Sequence, residues 1–330
     1  MTDGLGAYLY AHCSLVSHLP LPELPALDVM PADAVCIDVS RSAVFPAMAT
    51  VDWQHNFTDN QGAHAFRCLR IGDAYGFDFP GVAQAWLAAD DRITLWRRPD
   101  ASLDSLRHVL LDQILPRLLA QRGGLVLHAA AVHTQDHCTV LMIGDSGMGK
   151  STLAAAFGRS GAEILSDDGV LLDQDGDAMR AIACYPGLRL WPDSLATVLS
   201  DRAAQSTAMA HYSDKRRLQQ PRLAREDYPV DAILILQPPV DDRTIALAHC
   251  TTQVACMELM RNAFQLDLGD HGNIQALLAK AAATAERVPM LTLTYPRDYA
   301  MLPKVISTIT SALDCPAHPR SPGSEATVGL

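Results

Sequence analysis

The alternation of apolar and polar positions changes character along the chain. In the first hundred residues, 34–39, 64–71, 75–79 and 92–96 are short runs of β-forming residues broken by Gly, Pro and Asp, which predicts a small β-rich domain. Residues 102–121 then carry Leu103, Leu106, Val109, Leu110, Ile114, Leu118 and Leu119 close to helical spacing. A connecting helix follows from that spacing, bent at Pro116 and stopped at Gly123-Gly124. Two apolar runs at 125–133 and 138–143, separated by the polar Thr134-Gln135-Asp136-His137, read as a hairpin. The Ala- and Leu-rich stretch 151–159 reads as a helix ending near Gly161, and 162–165 as the next strand. Runs at 170–172 and 179–185 flank the turn 173–177 and suggest a second hairpin. From 192 to 228 the sequence turns polar and uneven, which predicts a mobile loop. Strands at 230–236 and 290–295 and helices at 252–264, 274–287 and 301–313 complete the pattern. The end, 315–330, has three prolines and little apolar content and reads as a disordered tail.

Candidate chemistry sits at the end of the 138–143 strand. Gly144-Asp145-Ser146-Gly147-Met148-Gly149-Lys150-Ser151-Thr152 fills every position of the phosphate-cradling pattern G-x-x-x-x-G-K-[ST]. Its glycines let successive backbone N–H groups point inward at phosphate oxygens. Lys150 would reach the β- and γ-phosphates and the Ser151 hydroxyl would take one position on Mg²⁺. A strand before and a helix after are the context that this motif requires, and both are predicted here.

Composition narrows the setting. The chain has 330 residues, 49% of them hydrophobic, enough for two domains or one large one. A formal charge of −11 argues against a general binder of nucleic acid or anionic membrane. No apolar run approaches the length of a membrane span, and the start lacks the plan of a signal peptide, so a cytoplasmic protein is expected. Eight scattered cysteines form no C-x-x-C pair and read as reduced thiols, and the histidines form no metal-binding array. The sequence leaves a homo-oligomer open.

Phosphoryl transfer needs positioning, charge neutralisation and a group that accepts the proton of the incoming hydroxyl. Ser166-Asp167-Asp168 ends the 162–165 strand, and Asp167 lies only sixteen residues after Ser151. Consecutive residues on extended backbone point to opposite sides, so one carboxylate can face a metal while the other faces the acceptor. His128, alone in an apolar run, can orient an aspartate or be an ordinary core residue. Lys215, Arg216 and Arg217 in the polar stretch, with Arg189 in Leu188-Arg189-Leu190-Trp191-Pro192-Asp193, are cationic candidates for the phosphates. The aromatic residues of the first domain, Trp53, Trp86 and Trp96 with Tyr8 and Tyr10, suit either a core or acceptor recognition.

Leu127-His128-Ala129, a short hairpin, GDSGMGKS, a helix and then LSDD resemble the catalytic domain of HPr kinase/phosphorylase, a bacterial serine kinase related to phosphoenolpyruvate carboxykinase. The resemblance implies an α/β fold with an α+β-like mixed sheet: a P-loop core over 124–314, preceded by the β-rich domain at 1–100 and the connecting helix at 101–123. It implies ATP and Mg²⁺ as cofactors, and functional positions at His128, Lys150, Ser151 and Asp168, with Asp168 as the base. Asp167 would then join Ser151 at the metal. The chain departs from that family in having Thr152 where a glutamate usually follows the serine, in offering only Asp193 for a later metal-binding glutamate, and in lacking the phosphorolysis segment. The longer stretches LPRLLAQRGGLVLHAAAV, LRLWPD, DKRRL and YPRD look more like the HPr-kinase-like proteins of ribosomal peptide clusters, some of which resemble lasso-peptide tailoring kinases. The reading is a serine kinase acting on a peptide or small protein. A small-molecule kinase and a nucleotide-binding regulatory module that does not turn over are the alternatives.

Overall fold

The computed structural model of the chain describes residues 4–43, 45, 51–58 and 64–313, so the tail expected at 315–330 lies outside the described residues. Eight strands occupy the first part: β1 (Gly6–Tyr10), β2 (Cys13–Ser17), β3 (Val35–Ser40), β4 (Trp53–Thr58), β5 (His64–Ile71), β6 (Ala74–Phe79), β7 (Ala83–Leu87) and β8 (Ile93–Arg97). They form one sheet in the order β1-β2-β3-β8-β7-β6-β5-β4. The period-2 pattern is visible in β7, where Ala83, Ala85 and Leu87 are buried and Gln84 and Trp86 are only partly covered.

The connecting helix begins at Ser102, whose Oγ accepts from the Ser105 N–H at 3.1 Å, a side-chain cap on the first turn. It runs as α1 (Leu103–Val109), widens into one π turn over Leu110–Ile114 and continues as α2 (Leu115–Gln121). The bend expected at Pro116 takes this form because Pro116 has no N–H to offer the carbonyl four residues back, and the wider turn absorbs the gap. Leu106, Leu110, Leu111 and Ile114 are fully buried, each contributing about 1.5–3 kcal/mol of burial. They share one core with Leu15, Ile37, Phe77 and Leu95 of the first sheet and with Val126, Ile182 and Tyr185 from beyond the helix.

The rest of the chain is mixed α/β. Its strands are β9 (Leu125–Leu127), β10 (Ala130–His133), β11 (Thr139–Ile143), β12 (Glu163–Ser166), β13 (Val170–Asp175), β14 (Ala178–Ala183), β15 (Leu188–Leu190), β16 (Thr207–Ala210), β17 (Ser213–Leu218), β18 (Tyr228–Pro229), β19 (Ala232–Leu236), β20 (Ala246–His249) and β21 (Met290–Thr294). Its helices are α3 (Lys150–Arg159), α4 (Pro192–Val198), α5 (Thr252–Asn262), α6 (His271–Arg287) and α7 (Leu302–Ala312). A six-stranded sheet runs β12-β10-β11-β19-β21-β20, in which β11 is antiparallel to β10 and parallel to β19. Smaller sheets run β18-β14-β13-β9 and β15-β17-β16.

Three expectations change. The run 125–133 is not one strand: β9 pairs with β13 in one sheet and β10 with β11 in another, and the chain crosses over at His128-Ala129. The His128 N–H, freed from either ladder there, donates to the Asn262 carbonyl at 2.8 Å. The stretch 192–228 is not a plain loop but holds α4, a 3₁₀ turn at Ser200–Gln205 and the hairpin β16–β17. The hairpin is fastened by buried Glu23, which accepts from Arg217 Nη1 and, at 2.9 Å, from Arg107 Nε. Six of the described cysteines, Cys13, Cys36, Cys68, Cys184, Cys250 and Cys256, are free thiols as expected, whereas Cys138 is disulfide-bonded. Among the described residues no helix is long and apolar enough to cross a membrane.

Candidate active site

Strand β11 is buried along its whole length and ends at Gly144, where the chain turns into the loop. Two glycines are demanded by the geometry. Gly144 has φ 138°, and a Cβ there would stand 2.9 Å from the Leu236 carbonyl oxygen; Gly149 has φ 96°, and its Cβ would stand 2.8 Å from the Tyr295 hydroxyl. Asn262 at the end of α5 steadies the turn, accepting from the Gly144 N–H at 3.0 Å. On the other side Arg297 Nη2 donates to the Gly147 carbonyl.

Lys150 opens α3 directly after Gly149. Its ammonium donates to the Gly144 carbonyl at 2.6 Å and the Asp145 carbonyl at 3.3 Å, so the loop holds its own lysine. Burial lowers the Lys150 pKa, and the charges of Asp168 and Asp167 partly offset that effect.

The two aspartates follow β12, which pairs with β10, so the acidic pair starts from a strand one removed from β11 rather than from its immediate neighbour. Asp167 is 1% exposed; its Oδ2 accepts from the Arg189 N–H at 2.7 Å, while Oδ1 is buried without a well-formed hydrogen bond. Burial first, then the charge of Asp168, pushes the Asp167 carboxyl up to about 6, against the opposing pull of Arg189 and the nearby Ser151 hydroxyl. Asp168 goes the other way. Burial would raise its carboxyl, but Arg189, which donates from Nη1 to Asp168 Oδ2, outweighs burial together with His128 and Lys215 and holds it well below the usual range. Asp168 is therefore ionised at neutral pH. His128 Nε2 lies 3.4 Å from Asp168 Oδ1, and burial followed by the charge of Lys150 lowers the imidazole pKa, so the ring is neutral there.

Arg189 organises this pair. Its Nη2 donates at 2.8 Å to Asp112 Oδ1, in the π turn of the connecting helix, and its guanidinium lies 4.8 Å from the Tyr185 ring centre. Asp112 also accepts from the Tyr185 hydroxyl and faces His108.

His128, Ser146, Gly147, Met148, Gly149, Lys150, Ser151, Thr152, Asp168, Arg189 and Lys215 all line one cavity of about 420 Å³, within the size range of small-molecule sites. Gly144, Asp145 and Asp167 do not line it: Gly144 and Asp167 are buried, and the exposed Asp145 pairs with Arg261. Lys215 reaches the cavity with its ammonium 5.8 Å from the Trp191 ring centre. Arg216 does not: its guanidinium donates to Ser206 Oγ and carbonyl. Arg189, offered from sequence as a phosphate ligand, has its guanidinium engaged by two carboxylates. Asp112, Asn262, Trp191, Tyr295, Arg297 and Tyr299 belong to the site or its support and were not singled out from sequence. Trp191 and Asp193 lie in the quoted LRLWPD, and Tyr295 and Arg297 in YPRD, but nothing marks Asp112 or Asn262.

No family model matches the chain. No curated protein matches it either. Among solved structures, it is similar to the HPr(Ser) kinase/phosphatase from Coxiella burnetii at 14% sequence identity and a TM-score of 0.30, over 57% of this chain and 88% of that one.

Proposed function

We propose that the protein is an ATP- and Mg²⁺-dependent kinase that transfers the γ-phosphate to a hydroxyl, a serine on a peptide or small protein. The observation that carries this reading is that Lys150, on a complete phosphate loop, and Asp168, ionised and held by Arg189 and His128, line the same cavity. A carboxylate held beside a phosphate loop is what taking the proton from an acceptor hydroxyl requires.

In this reading the inward backbone N–H groups of the loop cradle the α- and β-phosphates, and the Lys150 ammonium leaves the Gly144 carbonyl for the β- and γ-phosphates. Asp168 accepts the proton of the acceptor hydroxyl as its oxygen bonds to the γ-phosphorus and the bond to the departing ADP oxygen breaks. The neutral His128 ring, donating from Nε2, fixes one Asp168 oxygen, and Arg189 fixes the other. The Ser151 hydroxyl and the Asp167 carboxylate beside it would hold Mg²⁺, an ion that takes few protein oxygens. That ion would supply charge neutralisation for the phosphates.

The test is mass spectrometry of the protein mixed with ATP, Mg²⁺ and serine-ended precursor peptides, the acceptor class suggested by the sequence resemblance to lasso-peptide tailoring kinases. Added phosphate is expected with the wild type. Asp168→Asn should abolish transfer while leaving nucleotide binding largely intact; full transfer by that variant would remove Asp168 as the base.

A further inference from the structure

The same cavity is lined by residues outside the Lys150, Asp168 and His128 set. There a connected polar run joins three segments: Thr152 Oγ1 lies 3.2 Å from Ser194 Oγ, Ser194 Oγ lies 2.9 Å from the Tyr299 hydroxyl, and Tyr299 donates to Asp193 Oδ2 at 2.9 Å. All four residues line the cavity, alongside Tyr295 and Leu302. The groups that act on the Asp193 carboxyl are the Tyr299 hydroxyl and the Ser194 N–H, none of them from the Lys150, Asp168 and His128 set. Asp193 is exposed, and its carboxylate can accept more hydrogen bonds than this arrangement gives it.

Chain direction in a phosphate loop fixes which part of a nucleotide would lie here. The lysine takes the β- and γ-phosphates, and the loop amides and the first turn of the following helix take the α- and β-phosphates. Since Lys150 and Asp168 mark the γ end, the α-phosphate and the group attached to it leave toward Thr152, one residue past Ser151. The first polar side chains beyond Thr152 are Ser194, Tyr299 and Asp193.

We propose that Asp193, Tyr299 and Ser194 form the ribose subsite, with the Asp193 carboxylate accepting from the vicinal 2′- and 3′-hydroxyls of a ribonucleoside triphosphate. An acidic residue is a recurrent partner of ribose hydroxyls because a carboxylate can accept both O–H groups. This rests on the phosphoryl-transfer reading for its choice of the γ end, and it gives Asp193 a role at the sugar rather than at a metal.

The test is calorimetric titration of the full chain, in Mg²⁺, with ATP, 2′,3′-dideoxy-ATP and inorganic tripolyphosphate. The wild type should bind ATP at least about tenfold more tightly than the dideoxy analogue. Asp193→Asn should reduce ATP to the level of the dideoxy analogue, with tripolyphosphate unchanged within about twofold. Tyr299→Phe should narrow the same gap without closing it. Equal binding of ATP and its dideoxy analogue by the wild type overturns the subsite, as does an Asp193→Asn variant that weakens tripolyphosphate as much as ATP. A wild type that binds neither ATP nor tripolyphosphate would instead overturn the phosphate-loop reading, and the subsite with it.

Discussion

Arg189 and Asp112 form an ion pair at 2.8 Å with side chains only 2% and 4% exposed, joining the candidate base to a π turn that lies far away in sequence. Removing one member of a buried pair leaves the other charged and unsolvated, which costs about 3–5 kcal/mol. Asp112→Ala leaves Arg189 with Asp168 as its remaining carboxylate and should lower the unfolding free energy by up to about 3 kcal/mol, read as a lower urea midpoint at an unchanged slope. Asp112→Asn, which keeps acceptor oxygen for Arg189 and Tyr185, should cost less. Equal stability of Asp112→Ala and wild type would show that the pair contributes nothing to folding.

Gly149→Ala should weaken ATP binding by more than about tenfold. Its positive φ costs an ordinary residue about 1–2 kcal/mol, and the added methyl would press on the Tyr295 hydroxyl at 2.8 Å. Introduced together with Tyr295→Phe, the same substitution should recover part of the affinity, because the contact is relieved while the backbone strain stays. Calorimetry with ATP reads both effects.

Asp167 predicts an inverted acid response in the absence of divalent cations. Its carboxyl is raised from an ordinary 3.8 to about 6, so between those values the folded protein holds a proton that the unfolded chain has lost. The folded state binding more protons, stability contributed by this group falls as pH rises through that window and levels off above it. Asp168, held below its ordinary value, titrates outside the window. His128 and His133, whose pKa values burial lowers, act in the opposite sense over part of this range, so the reading is a difference: from pH 4 to 8 in a chelator the melting temperature of Asp167→Asn should rise relative to wild type up to about pH 6 and then hold level.

Lys215 and Arg216 are neighbours with different surroundings. Lys215→Ala removes an ammonium from the cavity and should slow phosphoryl transfer by about tenfold or more, as losses of preorganised charge do. Arg216→Ala breaks only its bonds to Ser206 and should leave transfer within about twofold. Initial rates at saturating ATP separate the two.

The parts of the molecule legible from sequence were those whose cause is local. The phosphate loop, the strand leading into it and α3 are contiguous, and a glycine-lysine-serine pattern describes all three. The connecting helix was legible from its apolar spacing, but Asp112 on it looks like any solvated helix residue until Arg189 is brought against it. The run 125–133 is apolar throughout, so nothing in it marks the crossing at His128, which is settled by Asn262 from a distant helix. Arg216 and Arg217 gave 192–228 the look of a solvated loop. Arg217 is nevertheless buried in a strand, because Glu23 arrives from the first part of the chain to neutralise it.

The Tyr10 hydroxyl donates to the Leu111 carbonyl at 2.7 Å inside the core, one residue before Asp112. A strand near the start of the chain thus braces the turn whose carboxylate grips Arg189. Trimming the chain to the part that carries the phosphate loop would strip that brace away, so the proposed phosphoryl transfer should be lost when the leading sheet is removed, even with every residue of the loop retained.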